Sequence, residues 1–200
     1  MNSFWNNFRM FLWMTFLTGV AYPLIIIAIA QLTMNQKANG DFITYQGRII
    51  GAKLIAQKFQ SDKYFWPRPS ANDYNGLISG GSNFGPTSAA LRKAVEERKS
   101  HFKTNPIEDE SIPIELLFAS GSGLDPHISP ATAYFQIERI ARSRSMNLIE
   151  ENEIKDLIDK MIEKRLLRFI GEPCVNVLLL NMALDSLTQS PPKVGINEYR

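Results

Sequence analysis

The sequence predicts an α/β chain in which a single N-terminal transmembrane helix is followed by one mixed α/β extramembrane domain. Three observations carry this. Between Arg9 and Lys37 no side chain is charged, and residues 11–32, FLWMTFLTGVAYPLIIIAIAQL, are almost wholly apolar. The 164 residues beyond position 36 are enough for a domain with its own core. In that part, apolar residues at helical spacing alternate with short β-branched and aromatic runs. The chain divides into a short tail (1–9), a transmembrane helix (10–34), a linker (35–48), an α/β domain (49–188) and a C-terminal tail (189–200).

A helix that crosses a bilayer needs roughly 20 consecutive apolar residues, and the first run meets this. Trp5 and Trp13 suit the headgroup level, and a proline at position 23, mid-span, is tolerated where local distortion satisfies the freed carbonyl. Gly19, Ala21, Ala28 and Ala30 permit close approach of neighbouring helices. Two alternatives stand beside this reading. Arg9 and Ala28-Ile29-Ala30 resemble a cleaved secretory signal, but an h-region spans about 7–15 residues and this run is longer. A buried core helix of this length, apolar all round, would be unusual at a terminus. Arg9 on one flank and Lys37 and Arg48, offset by Asp41, on the other leave the charge rule nearly balanced.

Residues 37–48, with Gly40 and Gly47, read as linker, and Arg48–Gln60 as a helix on Ile50, Leu54, Ile55 and Phe59. Tyr64-Phe65-Trp66 reads as an aromatic strand ended by Pro67. Residues 71–86 are irregular and rich in glycine and asparagine, and a helix runs from Thr87 to about Phe102. Residues 104–113 form a proline-punctuated acidic loop. Glu115–Ser120 reads as a buried strand that enters the turn Gly121-Ser122-Gly123-Leu124-Asp125-Pro126-His127-Ile128. Ser129 is a helix N-cap with Pro130 in the first turn, and that helix extends to about Ser143. Another spans about 151–169 and is stopped by Gly171 and Pro173; Val175–Leu180 is a strand, and Asn181–Thr188 turns helical.

Composition limits the chemistry. With Arg9 the one basic residue before position 37, the remainder carries 21 basic and 20 acidic residues, a balance that gives no electrostatic case for nucleic acid. Cys174 has no disulfide partner and reads as a small core side chain; with His101 and His127 it makes too few soft ligands for an expected zinc site. The strand–glycine turn–helix at 115–143 has the outline of an anion-binding βα unit, but no Lys-Ser/Thr pair follows the glycines as in a P-loop. Asp125 can orient His127 or fix the loop, and Asp73 can pair with Arg68. No set of residues makes a complete catalytic site, so none is expected to be catalytic and no metal is expected.

Taken in order, YFWPRPSA (64–71), YNGLISGGSNFGPTS (74–88), ASGSGLDPHISPATAYFQIERIARSR (119–144) and GEPCVNVLLLNMALD (171–185) resemble the C subunit of the Kdp-type potassium-transporting ATPase. The likeness extends over about residues 10–187, and GSNFGPT and SGSGLDPHISP are its most specific segments. The resemblance implies a non-catalytic accessory subunit of a high-affinity, ATP-driven potassium uptake complex. Its partners would be a channel-like potassium-translocating subunit, a P-type ATPase catalytic subunit and a small membrane peptide. It also implies a catalytic-chaperone role that raises the ATPase subunit's affinity for ATP. Candidate ATP-binding residues are then Ser120, Gly121, Ser122, Gly123, Asp125, His127 and Gln136. The implied location is the bacterial cytoplasmic membrane, crossed once, N-terminus inside and soluble domain outside. A domain on that face cannot share a nucleotide with a cytoplasmic ATPase domain, so an indirect mechanism, assembly and clamping at the potassium-entry face, is the physically simpler one. The alternative is a membrane-tethered enzyme or an extracytoplasmic binding module that uses turn 120–129 as an anion site.

Overall fold

A computed structural model describes residues 2–45, 47–102 and 112–188. The chain forms two compact units, residues 1–52 and 53–200. It bears out the expected class: one apolar N-terminal helix and then a mixed α/β region.

In the first unit, α1 (Asn2–Phe16) passes through a π-helical turn (Leu17–Ala21) into α2 (Tyr22–Thr33). The helix takes in residues read as a tail, and Ser3–Thr33 is long and apolar enough to cross a membrane. At about 1.5 Å per residue, 31 residues reach about 46 Å, against a hydrocarbon core of about 30 Å. The π turn has a local cause. Pro23 offers no N–H, and its ring would press on the carbonyl four residues back, that of Gly19. Widening the turn lets the Tyr22 N–H reach the carbonyl of Leu17, five residues back.

A short helix, α3 (Asn35–Ala38), leads into a hairpin of β1 (Phe42–Tyr45) and β2 (Arg48–Ala52), antiparallel with a register irregularity between Ile43 and Thr44. The hairpin takes the place of the expected linker and of the first turns of the expected 48–60 helix. Ile43, Thr44, Ile49 and Ile50 are β-branched, and Gly47, at φ +76°, supplies the left-handed turn between the strands. Helical spacing of four apolar residues does not outweigh these local preferences.

The second unit begins at Lys53. Residues 53–60 run as turn and coil, held where the Ala56 N–H donates to the Leu124 carbonyl. After α4 (Ala89–Phe102) come α5 (Ile114–Leu117), β3 (His127–Ile128), α6 (Pro130–Phe135), α7 (Ile137–Arg144), α8 (Leu148–Met161), β4 (Val175–Asn176) and α9 (Val177–Thr188). Helix α8 packs against α6, α7 and α9. The core joins Phe65, Ile128, Ile137, Ile140, Ile154, Ile158, Val175, Val177, Leu180 and Leu184. The expected acidic loop falls, but for its last two residues, outside the described residues, as does the tail after Thr188.

Several expected elements change type. Glu115–Ser120 is not a strand: Ile114–Leu117 coil into α5, burying Leu116 and Leu117. The Ser129 cap and Pro130 start are as expected, but the helix divides at Gln136 into α6 and α7. The expected 151–169 helix starts earlier, at an Asn147–Glu150 capping box, and stops at Met161. Residues 163–174 instead double back as a hairpin: Glu163 and Cys174 exchange both backbone bonds, and Leu166 pairs with Ile170 across left-handed Leu167 and Arg168. The expected Val175–Leu180 strand yields to helix after two residues, because the Asn176 side chain accepts from the Leu179 N–H and starts α9.

Tyr64-Phe65-Trp66 is not a strand: it leaves a turn at Tyr64, and the backbone of Phe65 and Trp66 is held by side chains rather than a neighbouring strand. The Asn181 carboxamide accepts from the Phe65 N–H at 2.8 Å and donates to the Phe65 carbonyl at 3.0 Å. Gln136 does the same for Trp66, at 2.8 and 3.1 Å. Arg139, 5% exposed, donates to the carbonyls of Asp62 and Tyr64 and lies 3.8 Å from the centre of the Trp66 ring.

Candidate functional site

The glycine turn is built by two loops that meet backbone to backbone. Residues 70–82 fold around Ser70, whose hydroxyl accepts from the N–H groups of Asn72 and Tyr74. Their far end lies on turn 120–123. The Gly80 N–H donates to the Ser122 carbonyl at 2.8 Å, and the Ser79 hydroxyl donates to the same oxygen. Gly123 has φ +70°, and a Cβ there would lie 2.8 Å from the Gly80 carbonyl oxygen; a Cβ on Gly81 would lie 3.1 Å from that of Gly121. These two glycines are required by close approach. Gly121, in the same turn, has open space where a Cβ would go.

Ser120 is buried, and its N–H donates to the Pro69 carbonyl. Asp125 takes the His127 N–H on one oxygen at 3.0 Å and Arg68 on the other at 3.1 Å, with His127 Nδ1 at 3.7 Å. Burial alone would raise the Asp125 carboxyl, but the nearby His127 imidazole, the His127 backbone N–H and the Arg68 guanidinium outweigh it and hold it below the usual range. Arg68 therefore pairs with Asp125 rather than with Asp73, which meets Lys58 at 2.6 Å. The loop-fixing role expected of Asp125 is the one it has. Gln136 stands apart from this group: it is buried, and its carboxamide bonds to Trp66, Arg139 and Thr132.

The turn fits a nucleotide triphosphate poorly. The helix that follows, α6, already has a carboxylate at its start: Glu115 Oε2 accepts from the Ser129 N–H at 2.9 Å and from the Thr132 hydroxyl at 2.8 Å. A polyphosphate would meet the Glu115 carboxylate where the βα reading placed free N–H groups, and Asp125 already takes up the Arg68 guanidinium and the His127 N–H. Sequence gave no sign of Glu115, because the capping partner lies fourteen residues upstream of Ser129.

A better-suited cleft opens nearby. A cavity of about 440 Å³ is lined by Lys58, Trp66, Tyr74, Arg98, His101 and Phe102, among others. It combines aromatic faces with cationic side chains, the chemistry that takes a flat, anionic ligand. Burial lowers Arg98, which is anchored to the Leu117 carbonyl, and pushes the Tyr74 phenol up to about 12. A second group, His127, Glu163 and Cys174, draws nitrogen, oxygen and sulfur ligand atoms to within 4.8 Å of one another. Cys174 is half-buried on this face rather than a core residue.

A family model described as K+-transporting ATPase, c chain, matches residues 4–186, taking in both the apolar helix and the α/β unit. The chain is similar to the potassium-transporting ATPase KdpC subunit of Leptospira interrogans, 44% identical over 180 residues, 90% of this chain and 92% of that one. It is 47% identical to the subunit of the same name from Sorangium cellulosum over 176 residues, 86% and 91% of the two chains. To that of Methylococcus capsulatus it is 44% identical over 190 residues, 93% and 98%.

Proposed function

Because the chain belongs to the K+-transporting ATPase c chain (KdpC) family, we propose that it serves as a non-catalytic accessory subunit of a high-affinity, ATP-driven potassium uptake complex. Its partners in this reading are a channel-like potassium-translocating subunit, the P-type ATPase subunit that performs catalysis and a small membrane peptide. The sequence contains no Asp-Lys-Thr-Gly-Thr loop of the kind a P-type ATPase phosphorylates, which supports catalysis in a partner.

The observation that carries an assembly role is apolar surface left open in two places. No residue of Ser3–Thr33 is buried, and Gly19 has open space around its Cβ position. On the second unit, hairpin 163–174 exposes Leu166, Leu167, Phe169 and Ile170, between 47% and 73% accessible, beside Lys164, Arg165 and Arg168. A contiguous apolar tip of this kind marks a contact surface for another protein. With the N-terminus inside and residues 53–188 outside the cytoplasmic membrane, the chain clamps the complex at its outer face. A higher affinity of the ATPase subunit for ATP then follows from stabilising its assembled state. Direct ATP contact by this chain belongs at the aromatic–cationic cleft and not at turn 120–127, where Glu115 already takes the Ser129 N–H at the start of the helix that follows.

Copurification in mild detergent tests this reading. The chain is expected to bring down the P-type and channel-like subunits, and Leu167→Asp/Phe169→Ser is expected to lower complex yield several-fold with the variant still folded and membrane-bound. Wild-type chain that purifies free of both subunits would overturn the proposal.

A further inference from the structure

Strand geometry in the second unit brings together three metal-ligating side chains that lie far apart in sequence. Glu163 pairs with Cys174, Cys174 is followed by β4, and β4 pairs with β3 as His127↔Asn176 and Ile128↔Val175. Side chains alternate between faces along a strand. Val175 and Ile128, both buried, therefore point to the core, while Cys174, Asn176, His127 and Glu163 share the other face. Glu163 stands opposite Cys174 and His127 is diagonal to it, the two cross-strand positions within reach. Their ligand atoms all lie within 4.8 Å of one another.

We propose that His127, Glu163 and Cys174 form a binding site for a divalent transition-metal ion of the zinc type, with solvent water as the fourth ligand. The donor set selects the class. A thiolate and an imidazole favour zinc, cobalt or copper over calcium and magnesium, which take oxygen shells. Bond lengths of about 2.0–2.3 Å place tetrahedral ligand atoms about 3.5 Å apart, so the site must close by about 1 Å. Glu163 is exposed and its side chain can make most of that movement. An outer-shell partner stands close by, one small ring shift from hydrogen-bond distance. Asp125 lies 3.7 Å from His127 Nδ1 and is itself held by Arg68, the carboxylate–imidazole arrangement that orients a metal-binding histidine. Burial raises the Cys174 thiol, with smaller contributions from the nearby carboxylates of Glu163 and Asp125; a bound dication opposes all three. On binding, the thiol proton leaves to solvent and the sulfur donates its electron pair to the ion. The ion would join β3 to both ends of hairpin 163–174.

The test uses the full chain, without a polyhistidine tag, in detergent micelles after chelator treatment. Titration with Co²⁺ is expected to give a thiolate-to-cobalt charge-transfer absorption that saturates at one equivalent and is displaced by Zn²⁺. Cys174→Ser should abolish the absorption with the fold retained by circular dichroism. His127→Asn and Glu163→Gln should each weaken binding by at least about tenfold. Either of two results overturns the site: folded wild-type chain that gives no charge-transfer absorption, or an absorption whose affinity is unchanged in His127→Asn, which would mean a cysteine binding alone. Glu163→Gln alters an exposed side chain, so it remains readable even if the other variants unfold, and an unchanged affinity there would likewise overturn the site.

Discussion

Gly123 and Gly121 lie two residues apart in one turn and face different constraints. At Gly123 a side chain must adopt φ +70° and approach the Gly80 carbonyl oxygen to 2.8 Å, whereas Gly121 opens onto free space. Gly123→Val is expected to destabilise the second unit by about 2–3 kcal/mol and Gly121→Ala by less than about 1 kcal/mol. Urea unfolding midpoints of the two variants compare them directly. Equal losses would show that loop contact, not Gly123 alone, sets the turn. Tyr74 makes a prediction about pH. Its hydroxyl donates to the Arg68 carbonyl at 2.9 Å, and burial, only partly opposed by Arg98 and reinforced by Asp73, pushes the phenol up to about 12. An unfolded chain releases this proton near pH ~10. Between these values the folded state holds the proton and the unfolded state does not, so stability falls as pH rises through the window and is unaffected below it. Tyr74→Phe is expected to cost about 1 kcal/mol at neutral pH and to flatten that alkaline decline, read from unfolding midpoints followed upward from neutrality.

The aromatic segment and the 163–174 hairpin behave as elements without belonging to the ordinary ladders of sheet or helix. Replacing Gln136 by Leu leaves the Trp66 N–H and carbonyl without partners in a buried setting, at a cost of about 2–4 kcal/mol. Gln136→Glu keeps the acceptor for Trp66 and Arg139 and should cost less; a thermal melt of both variants checks the order. These elements also show what could be read in advance. The charge-free run before Lys37, the Ser129-Pro130 helix start and the irregular glycine stretch at 71–86 are local signals, and each is found where the sequence puts it. The 64–66 segment reads as a strand because its composition is that of one. Its true partners, Asn181 and Gln136, lie 116 and 70 residues away and carry no local signature. Within the candidate site, the Asp125–His127 contact was legible from spacing. The Arg68–Asp125 pair, the Glu115 cap and the closeness of His127 to Cys174 depend on loop and hairpin geometry and were not.

For the whole molecule the decisive quantity is the side of the membrane on which the second unit lies. Leu77 is 95% exposed, so Leu77→Cys removes no packing, and Cys174→Ala takes away the one other thiol. This variant is expected to react with a membrane-impermeant thiol reagent on intact spheroplasts. Reaction only after the membrane is breached would put the unit in the cytoplasm and make direct nucleotide sharing the simpler account. The same scale shows a consequence of how residues 64–66 are held. An aromatic run with strand-like composition and unused backbone groups is a template on which other chains add strands and begin cross-β aggregation. Here the Tyr64 N–H goes to the Ser61 carbonyl, the Tyr64 carbonyl to Arg139, and both groups of Phe65 and of Trp66 to carboxamides. This aromatic tripeptide thus presents no free edge, and its backbone offers an incoming strand nothing to pair with.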